Sequence, residues 1–186
     1  MVLGILAWIG IGILALIVII FFSYFNRFAT LGNRIDNSLS QIDVQLKRRT
    51  DLIPNLVESV KGYMKHEKAA IKAVTDARKS LVSAEGIEKR VRANSQLESA
   101  LKTIFALAEN YPNLKANENF LELQRELTTT EDKIAYSRQY YNDSILAYND
   151  LCKTFPGTIF AGIFGKKPRE YLQITEAERK PVKVEF

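Results

Sequence analysis

The sequence predicts an all-α protein in which an N-terminal transmembrane helix is followed by an antiparallel up-and-down helical bundle of four helices, the first and last of them long. Three observations predict it. An uncharged apolar run fills the start of the chain. Beyond it, apolar residues recur at the three-, four- and seven-residue steps of amphipathic helices. One seven-residue series, Phe120, Leu127, Ile134, Tyr141, Tyr148 and Phe155, holds its register without a skip, as a seam packed at a small crossing angle does.

The anchor comes first. No side chain from Val2 to Phe22 is charged, and about 21 residues rising ~1.5 Å each give roughly 31 Å, the thickness of the hydrocarbon core. A basic start, a shorter apolar region and a small-residue cleavage site are all missing, so the segment is expected to stay attached rather than serve as a signal peptide. Tyr24 and Phe25 suit the interface, and the first basic residues, Arg27 and Arg34, follow the span. The positive-inside rule then places the helical domain in the cytoplasm. Gly4, Ala7, Gly10, Gly12 and Ala15 would let two anchors approach closely, but without a Gly-x-x-x-Gly pair self-association and a plain lipid-facing anchor both stay open.

From Gly32 to Glu67 apolar residues fall at Ile35, Leu39, Ile42, Leu46, Ile53, Leu56, Val60 and Met64. This is one buried stripe of a long helix. The opposite face collects Asp36, Gln41, Asp43, Gln45, Arg48, Arg49, Asp51, Asn55 and Glu58. Pro54 removes the hydrogen bond to the Thr50 carbonyl, so one helix bent near Asp51 is expected, with Asp51 available to cap a restart. Around Lys65, His66 and Glu67 the pattern permits either a turn or a continuation, since Ile71, Val74, Leu81 and Val82 resume at once.

Ser83 to Gly86 end that element, and Ile87, Val91, Leu97, Leu101, Ile104, Phe105 and Ala108 define the next, stopped by Pro112. Asn117 or Asn119 then starts the last long helix, with Glu122 as the capping-box partner of Asn119. Beside its apolar seam run Gln124, Glu131 and Arg138, before Ile145 and Cys152 take over. A polar network with Gln41, Gln45 and Arg48 of the first helix would satisfy them; a solvated edge would serve equally. With a turn near Lys65 the first and last helices measure ~52 and ~57 Å, which favours four helices over one very long one.

The chain thus divides into an anchor (1–26), a cytoplasmic bundle (27–157) and a C-terminal apolar and basic segment with its tail (158–186). In that segment Ile159, Phe160, Ile163 and Phe164 are too few to span a bilayer. They either lie in the membrane interface, with Lys166, Lys167 and Arg169 on anionic headgroups, or fold back to cap the bundle.

Chemistry is sparse. A net charge of +5 and a mean hydropathy of -0.10 describe a charged helical domain behind an apolar anchor. Its basic residues form no concentrated face with interleaved aromatics, so nucleic acid is not expected as a partner. The lone Cys152 falls beside Ile145 and Tyr148 on a buried face, and the lone His66 has no cysteine near it, so neither a disulfide nor a structural zinc site is expected. Gly165-Lys166 lacks the glycine, hydroxyl residue and preceding strand of a phosphate loop. Carboxylates such as Asp43 and Glu58 read as solvated helix charge. No catalytic residue, cofactor, metal or small-molecule substrate is expected.

Three strings, RIDNSLSQIDVQLKRRTDLIPNLVESVKGYMKHE, ENYPNLKANENFLELQRELTTTEDKIAYSRQYYNDSILAYN and TFPGTIFAGIFGKKPREY, closely resemble the bacterial LemA family. The chain departs from that pattern at Leu39 and Thr50, where members commonly carry Trp and an aromatic residue. The resemblance implies a single-pass cell-membrane protein with its N-terminus outside, a cytoplasmic helical bundle and a tie to envelope maintenance. The expected function is a non-enzymatic scaffold whose partners are the lipid bilayer and either copies of itself or another membrane protein. The alternatives are a membrane-shaping oligomer and an enzyme using carboxylates in a bundle crevice.

Overall fold

The structure, a computed structural model, describes residues 2–172; the expected tail beyond Leu172 lies outside the described residues. They form six helices: α1 (Val2–Lys61), α2 (Lys68–Ser83), α3 (Ile87–Ala108), α4 (Pro112–Lys115), α5 (Glu118–Lys153) and α6 (Gly157–Ile163).

The apolar run and the first amphipathic helix are one element, because α1 passes through Arg27, Gly32 and Pro54 without interruption. Asp51 does not restart the helix: its carboxylate takes the Lys47 ammonium at 2.6 Å. The carbonyl that Pro54 leaves free, on Thr50, accepts instead from Arg78 Nε at 2.8 Å. Near Lys65 the chain turns. The Met64 amide closes α1 on the Val60 carbonyl at 2.8 Å, and α2 begins at Lys68.

Gly86, at φ 81°, precedes α3 in the left-handed region, where a side chain would be strained. α3 stops at Ala108, ahead of Pro112. Pro112 itself opens α4, a single turn that periodicity does not announce; its missing N–H matters least at a first helical position. α5 is capped by Asn117, whose Oδ1 accepts from the Phe120 amide at 3.0 Å, and not by Asn119. Glu122 pairs with Arg125 at 2.9 Å instead of closing a capping box.

The helices distribute into two compact units. One contains α1 up to Ser38 together with Gln139–Tyr171; the other contains Leu39–Arg138, with Leu172. In the second, α2 returns from the turn after α1 and donates Arg78 to Thr50. Asp43 and Arg49 of α1 meet Arg90 and Asn94 of α3. Arg48 and Arg49 meet Glu126 and Glu131 of α5, and Tyr63 lies 3.5 Å from Asn117 at its start. Numbering rises together along α1 and α3 and falls along α5, so the order is up, down, up, down. Ile42, Ile53, Leu56, Leu97, Leu101, Ile104, Leu127 and Ile134 fill the centre.

The first unit packs the anchor's C-terminal continuation against the second half of α5. Phe28, Leu31 and Ile35 are buried on α1; Tyr141, Ile145, Tyr148, Leu151 and Cys152 are buried on α5. The sixth member of the seven-residue series breaks ranks: α5 ends at Lys153, and Phe155 is 82% exposed.

Candidate functional site

Two places concentrate unusual side chains. In the first unit α6 presents three rows. Gly157 and Ala161 are buried, and a Cβ on Gly157 would collide with the Leu151 carbonyl. Phe160 and Phe164 turn to α1: Phe160 stacks on Tyr24 with centroids 4.5 Å apart, and Phe164 meets Phe21, Phe25 and Phe28 edge-on at 5.2, 5.6 and 6.0 Å. Edge-to-face and offset rings at these distances add to simple area burial. Ile159 and Ile163 are 52% and 60% exposed.

The chain leaves α6 by a left-handed Gly165 at φ 63°, with the Lys166 amide on the Ala161 carbonyl at 2.8 Å and the Gly165 amide on Gly162 at 3.3 Å. This is a Schellman ending. Lys166 and Lys167 emerge exposed. Arg169 does not join them: its guanidinium lies 5.2 Å from the Tyr148 ring centroid and 3.5 Å from Asp36. The buried Asn149 side chain holds the same residue's backbone, donating to its carbonyl at 2.8 Å and accepting from its amide at 2.7 Å. Burial raises the pKa of the Cys152 thiol beside this clamp, against the pull of Arg169 and Lys153, which keeps it an unreactive core residue.

In the second unit a charge is buried. Arg49 is 2% exposed, with Nη1 donating to Asn94 Oδ1 at 2.9 Å and to Glu131. Desolvation lowers its pKa to about 10, opposed by the Glu98 carboxylate. It therefore remains a cation at neutral pH. The sequence pattern assigns Arg49 to the solvated face; the structure puts it in the core. The signal was present, since Arg49 stands seven residues from both Ile42 and Leu56.

The six residues expected to share a network are not brought together as one. Arg48 is half exposed and pairs with Glu126; Glu131 pairs with Arg49. Gln41 is exposed, Gln45 is half-buried with its Oε1 buried and unpaired among the described residues, and Gln124 and Arg138 are half-buried. The inner positions beside the apolar seam of α5 are Thr130, Ser137 and Ser144, all buried. Thr130 and Ser144 satisfy their hydroxyls on the Leu127 and Tyr140 carbonyls, each at 2.8 Å, so they need no partner across the helix interface.

At the turn between α1 and α2 an open groove of about 710 Å³ is lined by Met64, Ile71, Thr75, Asp76 and the lysines at 61, 65, 68, 72 and 79. Asp76 faces Lys72 at 3.5 Å and Lys79 at 4.0 Å. Among the described residues no carboxylate pairs with Lys61, Lys65 or Lys68.

Residues 38–186 match the sequence profile of the LemA family. The chain belongs to the LemA family. Among its relatives, the protein LemA of Metamycoplasma hominis is 29% identical over 125 residues, covering 66% of this chain and 57% of that protein. The magnetosome protein MamQ of Magnetospirillum gryphiswaldense and MamQ 2 of Paramagnetospirillum magneticum are each 24% identical over 184 residues, covering 85% of this chain and 68% of each of them. Within this LemA-family chain the apolar part of α1 is, among the described residues, the one segment long and apolar enough to cross a membrane. It is a membrane-associated helical protein.

Proposed function

We propose that this protein is a non-enzymatic scaffold, anchored by a single span in the cell membrane, whose cytoplasmic helical domain holds a protein partner or further copies of itself at the bilayer. The observation that carries this reading is the continuity of α1, which is at once the bilayer-length segment and the first helix of the packed domain. A helix shared in this way fixes the domain to the membrane without a flexible tether. The groove at the α1–α2 turn supplies a surface for an acidic partner, with an apolar floor and three lysines that no carboxylate pairs among the described residues. The cytoplasmic orientation rests on Arg27 and Arg34 following the span.

Photo-crosslinking in intact cells tests it. A benzophenone side chain at position 68, in the groove, should give discrete adducts that are absent from position 133, on the exposed face of α5, and lost when Lys61, Lys65 and Lys72 become Gln. Equal adducts at both positions, or none at either, would count against a scaffold that uses this surface. For orientation, a cysteine replacing the exposed Val82 in a Cys152→Ser chain should resist an impermeant maleimide until the cells are lysed.

A further inference from the structure

The aromatic contacts of α6 carry more than packing. Phe21 belongs to the uncharged run, and the first charge on α1 is Arg27. An element stacked on Phe21, Tyr24, Phe25 and Phe28 is therefore held at the level where the span leaves the hydrocarbon. If α1 crosses a bilayer, lipid surrounds it at that level on every side the protein does not cover. Seven residues at ~1.5 Å make α6 about 10 Å long, comparable with the depth of the headgroup and acyl boundary. Its outward row is Ile159 and Ile163, and the exposed Phe155 precedes the helix, four residues before Ile159. Side chains of this size left open on a soluble surface are common singly, but Ile159 and Ile163 on one helix face, with the exposed Phe155 just before that helix, make an interfacial face beside a membrane span. The Schellman ending then turns the chain so that Lys166 and Lys167 follow directly, exposed.

We propose that α6 is an interfacial foot: Phe155, Ile159 and Ile163 enter the acyl boundary of the leaflet on the domain side, and Lys166 and Lys167 bind anionic phospholipid headgroups. Arg169 is excluded from that role because Tyr148 and Asp36 already hold it. The inner row, Phe160 and Phe164, ties the foot to α1, so lipid contact at α6 sets the depth and tilt at which the anchor stands. This inference rests on the reading that α1 spans the membrane, and the experiment separates the two.

The full chain, with Cys152→Ser, is reconstituted into phosphatidylcholine vesicles with or without about one third phosphatidylglycerol, whose negative surface attracts basic residues held near it. A fluorophore is placed on a cysteine at position 14, 159, 163 or 133, and quenching by spin-labelled lipid is read. The expected result is quenching at 14, 159 and 163 but not at 133. It should be stronger at 159 and 163 in anionic vesicles and should fall back to the neutral level in the Lys166→Gln, Lys167→Gln chain. Quenching at 14 with none at 159 and 163 overturns the foot and leaves the anchor standing. Absence of quenching at 14 overturns both. Quenching at 159 and 163 that ignores lipid charge and the lysine changes overturns the headgroup assignment.

Discussion

Arg78 of α2 donates its Nε–H to the Thr50 carbonyl of α1 at 2.8 Å. Pro54, four residues on, has no N–H to give that carbonyl, so a bond between helices replaces the one the proline removes. The replacement makes Pro54 compatible with an uninterrupted α1 and fixes α2 against it.

The coupling is measurable as a double-mutant cycle on the full chain in mild detergent. Arg78→Ala should cost about 1–3 kcal/mol by leaving a partly buried carbonyl unpaired. With Pro54→Ala the amide of residue 54 is restored, and Arg78→Ala should then cost less by about 1 kcal/mol. Strict additivity of the two changes would show that the Arg78 bond does not stand in for the proline's.

Most of the helices were legible in the sequence because burial on one side leaves a period, and periods survive context. The stripe from Ile35 to Met64 and the seam from Phe120 to Tyr148 read correctly for that reason. What the pattern misassigned was chemical. Arg49 occupies a seam position but carries a charge, so it read as solvent-facing, although a guanidinium with two partners can be buried. Thr130, Ser137 and Ser144 are small, and Thr130 and Ser144 bond to their own helix, so these positions bury without an apolar signature. The inner row of α6 was equally opaque, because Phe160 and Ile159 are adjacent apolar residues and only the docking of α6 on α1 separates them.

Removing the Glu131 carboxylate, in Glu131→Leu, strands a buried cation. Loss of one partner of a buried pair costs about 3–5 kcal/mol, and the partial exposure of Glu131 places this change at the lower end. Arg49→Met combined with Glu131→Leu should recover most of the loss, since an apolar replacement of a buried pair is often neutral. Denaturant midpoints of the single and double variants decide it. A double variant as unstable as Glu131→Leu alone would mean that packing around Glu131, not the charge, carries the cost.

Alkaline pH should weaken the fold from a definite direction. Burial raises the pKa of Cys152 above 9.0 and those of Tyr141 and Tyr148 above 10.0. These groups stay protonated in the folded chain while the unfolded chain releases its protons. Their contribution is complete below the unfolded values and is lost as pH rises through the folded ones. Arg49 has the opposite sign, because its folded value of about 10 lies well under the usual guanidinium value, but it acts only around and above pH 10. Thermal midpoints should therefore fall between about pH 8 and pH 10, and Cys152→Ala should flatten the slope. An unchanged slope would exclude the thiol as a contributor.

Gly157 and Gly162 sit at opposite ends of α6 and should answer the same substitution differently. At Gly157 an added methyl meets the Leu151 carbonyl, part of the α5 backbone, which has no flexible end to yield; at Gly162 nothing lies within 4 Å. Gly157→Ala should thus cost about 1–3 kcal/mol, as overpacking does. Because that strain lifts the start of α6, it should also loosen Phe160 and Phe164 from α1 and speed protease cleavage between Thr154 and Tyr171. Gly162→Ala should be neutral or stabilising by about 0.5 kcal/mol, since it replaces a glycine inside a helix. Thermal midpoints and cleavage rates of the two full-length variants, measured side by side, make the comparison internal. If the variants behave alike, the close approach of α6 to the end of α5 is not what seats the helix, and the aromatic contacts with α1 alone must hold it.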